Sequence, residues 1–223
     1  MKPKVTHFNT ADGSSTLLSD KYGAHYHSQH GAITESKHVF IKAGLNAVNI
    51  PNINLLEVGF GTGLNAALTA QTALEKGIKI NYVALELHPL TQDDYRMLNY
   101  SITLESTTAD LWEKICQSPW NKANPITDLF SIEKINVDFT TWRPANQYHL
   151  VYFDAFAPND QPEMWEKLQF QKIYNALAEG GVLVTYCVKG IVKNTLREVG
   201  FDIERLQGPP GKKHMLRAWK RNK

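Results

Sequence analysis

The segment Glu57-Val58-Gly59-Phe60-Gly61-Thr62-Gly63 sets glycines at alternate positions between an apolar run and a helical pattern. Glycine serves where the backbone must turn tightly and let a ligand approach. A helix starting near Leu64 aims its free N–H groups at the same place. The spacing is G-x-G-x-G, whereas a dinucleotide fingerprint needs G-x-G-x-x-G with glycine or alanine where Leu64 stands. Glu57 precedes the first of these glycines, where a carboxylate repels a pyrophosphate but serves a cationic or amino-bearing ligand. Glu86 closes the next apolar run and is placed to accept hydrogen bonds from both hydroxyls of a ribose; the alternative is an exposed acid in a turn. Strand, loop, helix, strand and acid in this order predict a nucleoside cofactor. The sulfonium and α-amino group of S-adenosylmethionine suit Glu57 better than NAD does.

Two further acids end apolar runs. Asp138, in Val137-Asp138-Phe139, is placed either to accept from an adenine amino group, with Phe139 beside the ring, or to cap a turn. Asp154 follows Tyr148–Phe153, at the switch region where an open α/β sheet brings substrate to cofactor. An acid there can receive or orient a nucleophilic amine; it can also simply cap the following loop. His25, His27 and His30 form an H-x-H-x-x-H cluster, but no Cys or acid at ligand spacing completes a metal set. No metal is expected, and a polar loop near the cofactor or RNA is the favoured role. Trp112, Trp120, Trp142 and Trp165 read as packing residues, with Trp165 also a candidate wall for a base pocket.

The elements that must position these groups alternate. Strands are expected at Ile53–Val58, Ile78–Leu87, Ser131–Val137, Tyr148–Phe153, Gly181–Val188, Phe201–Leu206 and His214–Trp219. Helices are expected at Leu64–Leu74, Thr91–Tyr100, Asp110–Cys116, Pro162–Leu177 and Ile191–Val199. That order implies an α/β fold with a largely parallel sheet. Gly208-Pro209-Pro210-Gly211 can reverse the chain but cannot make a parallel crossover, so the last strand should run antiparallel. The weakly periodic residues 1–50 read as an extension with a hairpin and one helix near Glu35–Ala47, and residues 51–223 as the main domain.

Composition sets bounds on function. The 223 residues are 43% hydrophobic and 21% charged, enough for one real core. No apolar stretch approaches the roughly 20 residues of a membrane helix, and the start Met1-Lys2-Pro3-Lys4-Val5-Thr6-His7 carries no apolar segment of a secretory signal. Cys116 and Cys187 form no C-x-x-C and read as reduced thiols of a cytoplasmic protein. The net charge of +2 says little, but Arg205 to Lys223 holds no Asp or Glu. Such an end can meet a polyanion, or can be a solvated tail.

Asp154-Ala155-Phe156-Ala157-Pro158, followed by Pro162-Glu163-Met164-Trp165, resembles the methyltransferase domain of the MnmC-type tRNA wobble-uridine modification enzymes. So do Glu57–Asn65, the Gly208–Ala218 segment with its G-P-P-G-K, Asp12-Gly13-Ser14 and Tyr26–Phe40. The resemblance implies a class I S-adenosylmethionine-dependent methyltransferase with a Rossmann-like, seven-stranded sheet. It also implies transfer of a methyl group to the exocyclic amine of 5-aminomethyl(-2-thio)uridine in tRNA. It implies cofactor contacts from Glu57, Gly59, Gly61, Thr62, Gly63, Asn65, Glu86, Asp138, Phe139 and Asp154, with Tyr26 and Glu35 folding over from the extension. Asp154 would be the catalytic group, and Phe156, Pro158 and Trp165 would face the substrate. Lys212, Lys213 and Arg217 would contact tRNA phosphates. The family's FAD-dependent oxidase domain has no room in this sequence, so a separate enzyme is expected to supply the aminomethyl-uridine. An aminopropyltransferase or small-molecule N-methyltransferase on the same fold, and a non-catalytic RNA-binding protein, are the rival readings.

Overall fold

Apolar runs bounded by glycine and acid become the buried strands of one sheet in the computed structural model, which describes residues 3–221. Met1 and Lys2 of the chain start, and Lys223 of the basic stretch, lie outside the described residues. The amino-terminal part holds β1 (Val5–Asn9), β2 (Ser15–Ser19) and β3 (Ala24–His25), an antiparallel three-stranded sheet. Helix α1 (Ala32–Ser36) runs on into a π-helical segment, Lys37–Lys42, and a 3-10 turn, Leu45–Ala47. This helix starts earlier than its periodicity predicts because Asp12 of the β1–β2 turn accepts from Thr34 N at 2.9 Å and Thr34 Oγ1 at 2.7 Å. Burial opposes the Asp12 charge, but hydrogen bonds from Ser14, Thr34 and Thr10 hold the carboxyl at about 2.

The main sheet follows as β4 (Asn52–Val58), α2 (Leu64–Lys76), β5 (Lys79–Glu86), α3 (Gln92–Arg96), α4 (Tyr100–Thr103) and α5 (Ser106–Gln117). Next come β6 (Ala123–Pro125), β7 (Phe130–Asn136), β8 (Tyr148–Phe153), α6 (Lys167–Ala176), β9 (Leu177–Thr185), α7 (Gly190–Val199), β10 (Asp202–Gln207) and β11 (His214–Trp219). Its order is β10-β11-β9-β8-β4-β5-β7-β6. Strand β11 lies antiparallel between β9 and β10, as the short Gly-Pro-Pro-Gly connection requires. The other pairings of the central strands are parallel. The seven expected strands are joined by an antiparallel edge strand, β6, whose three residues are too few to show a period.

Two predicted helices break. Thr91–Tyr100 divides into α3 and α4: Thr91 and Asp94 form a capping box that starts α3, and the helix ends at Met97. Pro162–Leu177 divides into a 3-10 turn, Pro162–Trp165, and α6, because Glu166 is extended at φ −71 and ψ 154.

The chain leaves β4 toward β5 and β7 on one side and returns to β8 and β9 on the other, which makes a crevice at the carboxyl ends of β4 and β8. One apolar layer packs α2 and α5 on the sheet through Leu64, Leu68, Trp112, Ile115, Tyr82 and Tyr152. The other packs α6 and α7 through Phe153, Phe170, Ile173, Val192 and Leu196. Lys134 of β7 is fully buried, and its Nζ donates to the carbonyls of Ile115 (2.7 Å) and Cys116 (3.1 Å) at the end of α5. The ammonium meets the negative end of that helix and lies 5.4 Å from the Phe60 ring centre, beneath the glycine loop. Burial lowers it to about 8. Among the described residues no helix is long and apolar enough to cross a membrane.

Candidate functional site

A cavity of about 450 Å³ opens at the carboxyl ends of β4, β5, β7 and β8, within the range of small-molecule sites. Register brings its parts together: Val58 of β4 pairs with Phe153 of β8, and Asp154 N donates to Val58 O at 2.9 Å. Gly59 and Gly61 take φ +93 and +51. A Cβ on Gly59 would lie 2.6 Å from the Asp154 carbonyl oxygen, and one on Gly61 would lie 2.9 Å from the Tyr26 ring. Glycine therefore lets the loop press against the β8 end and lets the extension close over it.

Ten of the cofactor and substrate contacts expected from sequence line the cavity: Tyr26, Glu35, Gly59, Gly61, Glu86, Asp138, Phe139, Asp154, Phe156 and Lys212. Glu86 ends β5 and accepts from Gly61 N (3.1 Å) and His88 N (2.8 Å), with burial raising its carboxyl. Asp138 Oδ1 accepts from Thr140 N and Thr140 Oγ1, each at 2.7 Å, so the turn-capping role is filled. Phe156 stacks on Tyr22 at 4.6 Å and meets Tyr26 edge-on at 5.2 Å.

A second group sits behind the wall. Glu57 is fully buried, outside the cavity lining, and its carboxyl is pushed well above the ordinary range, first by desolvation. Asn65 Nδ2 donates to Glu57 Oε1 at 3.0 Å and to Asp154 Oδ2 at 2.9 Å. Gly63 ends the loop as the left-handed residue before α2. Thr62 Oγ1 lies 2.7 Å from His27 Nε2, and its carbonyl accepts from Trp112 Nε1 at 2.9 Å. Glu57, Thr62, Gly63 and Asn65 thus hold the site's frame from behind the residues that line the cavity.

Asp154 is raised to about 7, first by burial and then by the charge of Glu35, against Asn65 and Lys212, which lower it. Glu35 is buried, accepts from Ser28 N at 2.8 Å, and forms an ion pair with Lys212. Lys212 Nζ also lies 4.0 Å over the Tyr186 ring, while Tyr186 Oη donates to Ala155 O at 2.8 Å. Apart from this lysine the charged lining is acidic: Glu35, Glu86, Asp138, Asp154, Asp160, Glu163 and Glu166. Such a field favours a cationic ligand and disfavours a phosphate.

Several expectations need correction. Trp165 does not line a base pocket: it is buried against Phe153 at 4.9 Å and donates from Nε1 to Phe156 O at 2.8 Å. Pro158 lies in the loop beyond the cavity wall. Lys212 turns inward to Glu35 and does not lie free for phosphate. Arg217 is held by Glu204 at 2.6 Å and donates to Ala43 O at 3.2 Å. Lys220 and Arg221 pair with Glu179, Asp202 and Glu204. Acids from other strands and turns thus neutralise much of a stretch that carries none of its own. Lys213 and Arg205 are exposed and form no ion pair among the described residues. The histidine segment is not among these corrections, since His25 and His27 line the cavity: His25 packs edge-on against Phe8 at 4.7 Å, His27 is buried on Thr62 and lowered to about 4 by burial, and His30 packs beside Gly211.

Tyr22, Ser28, Gln161, Gln169 and Tyr186 also line the cavity and were missed. The legible signal was a glutamine on the apolar side of a predicted helix, since Gln169 precedes Phe170 in α6 and both are buried.

Residues 130–221 match a family described as S-adenosyl-L-methionine-dependent methyltransferase. The tRNA 5-methylaminomethyl-2-thiouridine biosynthesis bifunctional protein MnmC of Burkholderia thailandensis is 28% identical over 90% of this chain and 33% of that protein. The protein of the same name from Burkholderia mallei is 28% identical with the same coverage. The chain spans about a third of the length of the curated relatives it matches. Among solved structures, MNMC2 from Aquifex aeolicus superposes with a TM-score of 0.79 at 25% identity, covering 96% of this chain and 69% of that one. Spermidine synthase from Thermotoga maritima gives a TM-score of 0.57 at 11% identity, covering 98% and 69%, a likeness of fold alone. The chain is therefore related to S-adenosyl-L-methionine-dependent methyltransferases in sequence over residues 130–221, and it carries their class I, Rossmann-like α/β fold.

Proposed function

We propose, from the S-adenosylmethionine-dependent methyltransferase fold of this chain, that it methylates the exocyclic amine of 5-aminomethyl(-2-thio)uridine at the tRNA wobble position. The observation that carries this reading is Asp154, a carboxyl raised to about 7, set against the glycine loop in an acid-lined cavity. The MnmC relatives supply the substrate class.

The residues present fit the cofactor. Glycines 59 and 61 let the loop press close to Asp154 and Tyr26 at the cavity wall, Glu86 stands at the β5 tip for a ribose, and the acidic lining suits a sulfonium. When bound, S-adenosylmethionine supplies an electrophilic methyl group on positively charged sulfur. The protein must then hold a neutral amine lone pair in line, at roughly 3–3.5 Å. A free alkylamine is mostly protonated at neutral pH, much as lysine is. Asp154 as carboxylate accepts a hydrogen bond from the amine and takes up or relays the proton it sheds. Asn65 fixes the orientation of that carboxylate, and the Glu35–Lys212 pair tunes its charge. Tyr22, Tyr26 and Phe156 pack together as an aromatic part of the cavity wall.

We read residues 1–50 as an extension that closes the cavity of the 51–223 domain. The buried, free thiols of Cys116 and Cys187 fit a cytoplasmic location. Mass analysis of nucleosides from tRNA incubated with the protein and S-adenosylmethionine tests the reading. A gain of one methylene unit on aminomethyl-uridine is expected. Methylation of free amines with none on tRNA would favour a small-molecule enzyme instead.

A further inference from the structure

Gln169 lies in the first turn of α6, and it is buried to within 3% of full exclusion from solvent. Its side chain lines the cavity, yet its Oε1 has no hydrogen-bond partner within the protein. A buried amide left unpaired is costly, and a ligand group that reaches it from the cavity would relieve that cost. Its position says which part of a ligand it meets. Lys172, one turn further along the same face of α6, donates from Nζ to Phe139 O and, at 3.1 Å, to Thr140 O. Lys172 also lies 4.3 Å over the Phe139 ring. The face that carries Gln169 is thereby clamped against the loop after β7, whose Val137 and Phe139 line the cavity, as does Met164 of the 3-10 turn. Asp138, the other polar group there, already spends Oδ1 on the Thr140 backbone and hydroxyl.

We propose that Gln169 is a specificity-determining residue that reads the amino-bearing edge of the cofactor's purine. This rests on the cofactor reading above. A carboxamide offers a donor beside an acceptor, and 6-aminopurine presents the complementary pair: an amino donor next to a ring-nitrogen acceptor. A 6-oxopurine reverses both members of the Watson–Crick pair, so it leaves the buried amide facing a like group unless the amide turns against its other surroundings.

Calorimetry with S-adenosylhomocysteine and its deaminated analogue, S-inosylhomocysteine, on the wild-type chain and on Gln169→Leu tests this. The wild-type protein should bind the adenosine compound about tenfold more tightly or better. Gln169→Leu should lose about tenfold for that compound and little for the inosine one, so the preference collapses. Its thermal midpoint should stay level or rise, since an unpaired buried amide is removed. A wild-type chain that binds both compounds equally overturns the proposal, whether or not the variant folds. A Gln169→Leu chain that keeps the wild-type preference overturns it too. If the wild-type chain binds neither compound, the cofactor reading itself fails; binding without preference sinks only the role of Gln169.

Discussion

Asn65 donates its side-chain amide to Asp154 across 2.9 Å. The same nitrogen reaches Glu57 at 3.0 Å, so one amide from the first turn of α2 ties the end of β4 to the end of β8. A carboxylate fixed by such a neighbour needs no reorganisation when substrate arrives. Asp154→Ala should therefore lower turnover by about 10²–10⁴-fold, the usual span for a positioned proton acceptor. Binding of S-adenosylhomocysteine should change by far less. Steady-state rates beside calorimetry check this, and wild-type turnover in the variant would remove Asp154 from the mechanism.

The rate should depend on pH through the same group. Asp154 works as a carboxylate, and its pKa is raised to about 7. Single-turnover rates should climb as pH passes through about 7. Glu35 raises this value and Lys212 lowers it. Glu35→Gln should move the midpoint to lower pH, and Lys212→Met should move it higher. Midpoints that stay put in both variants would mean that the rate reports another group.

Stability should pull against activity at this position. A carboxyl whose pKa rises on folding favours the folded state fully only below its unfolded value, near 4. That contribution is lost as pH rises through about 7. Asp154→Asn, which cannot ionise, should melt above wild type at pH 8 and close to it at pH 4. Calorimetric melts at the two values check the sign. A gap that is larger at pH 4 would reverse the argument.

Binding of tRNA should rest on the few cations left without acidic partners. Lys213→Ala should weaken tRNA and flatten the slope of log K against log salt by about one unit, as expected for one lost phosphate contact. Arg217→Ala should act differently, because this residue pairs with Glu204 and holds the Ala43 carbonyl. Its effect should appear in the melting temperature more than in the salt slope. Filter binding at several salt concentrations, beside thermal melts, separates the two.

The sequence by itself determined the alternation of strand and helix, the reversal at Gly208-Pro209-Pro210-Gly211, and the acids that end β5, β7 and β8. Those are local properties: the period of apolar residues, the freedom of glycine and the stiffness of proline act within a few residues of themselves. Tertiary structure alone decided that Glu57 is buried behind Asn65, that Trp165 packs on Phe153, and that Gln169 faces the cavity. It also decided the fate of the basic stretch. Lys212 meets Glu35 across 177 residues, and Arg217 meets Glu204 only because β10 and β11 pair in register. Charge and exposure depend on which groups the fold brings within a few ångströms, and no spacing along the chain encodes a partner so far away.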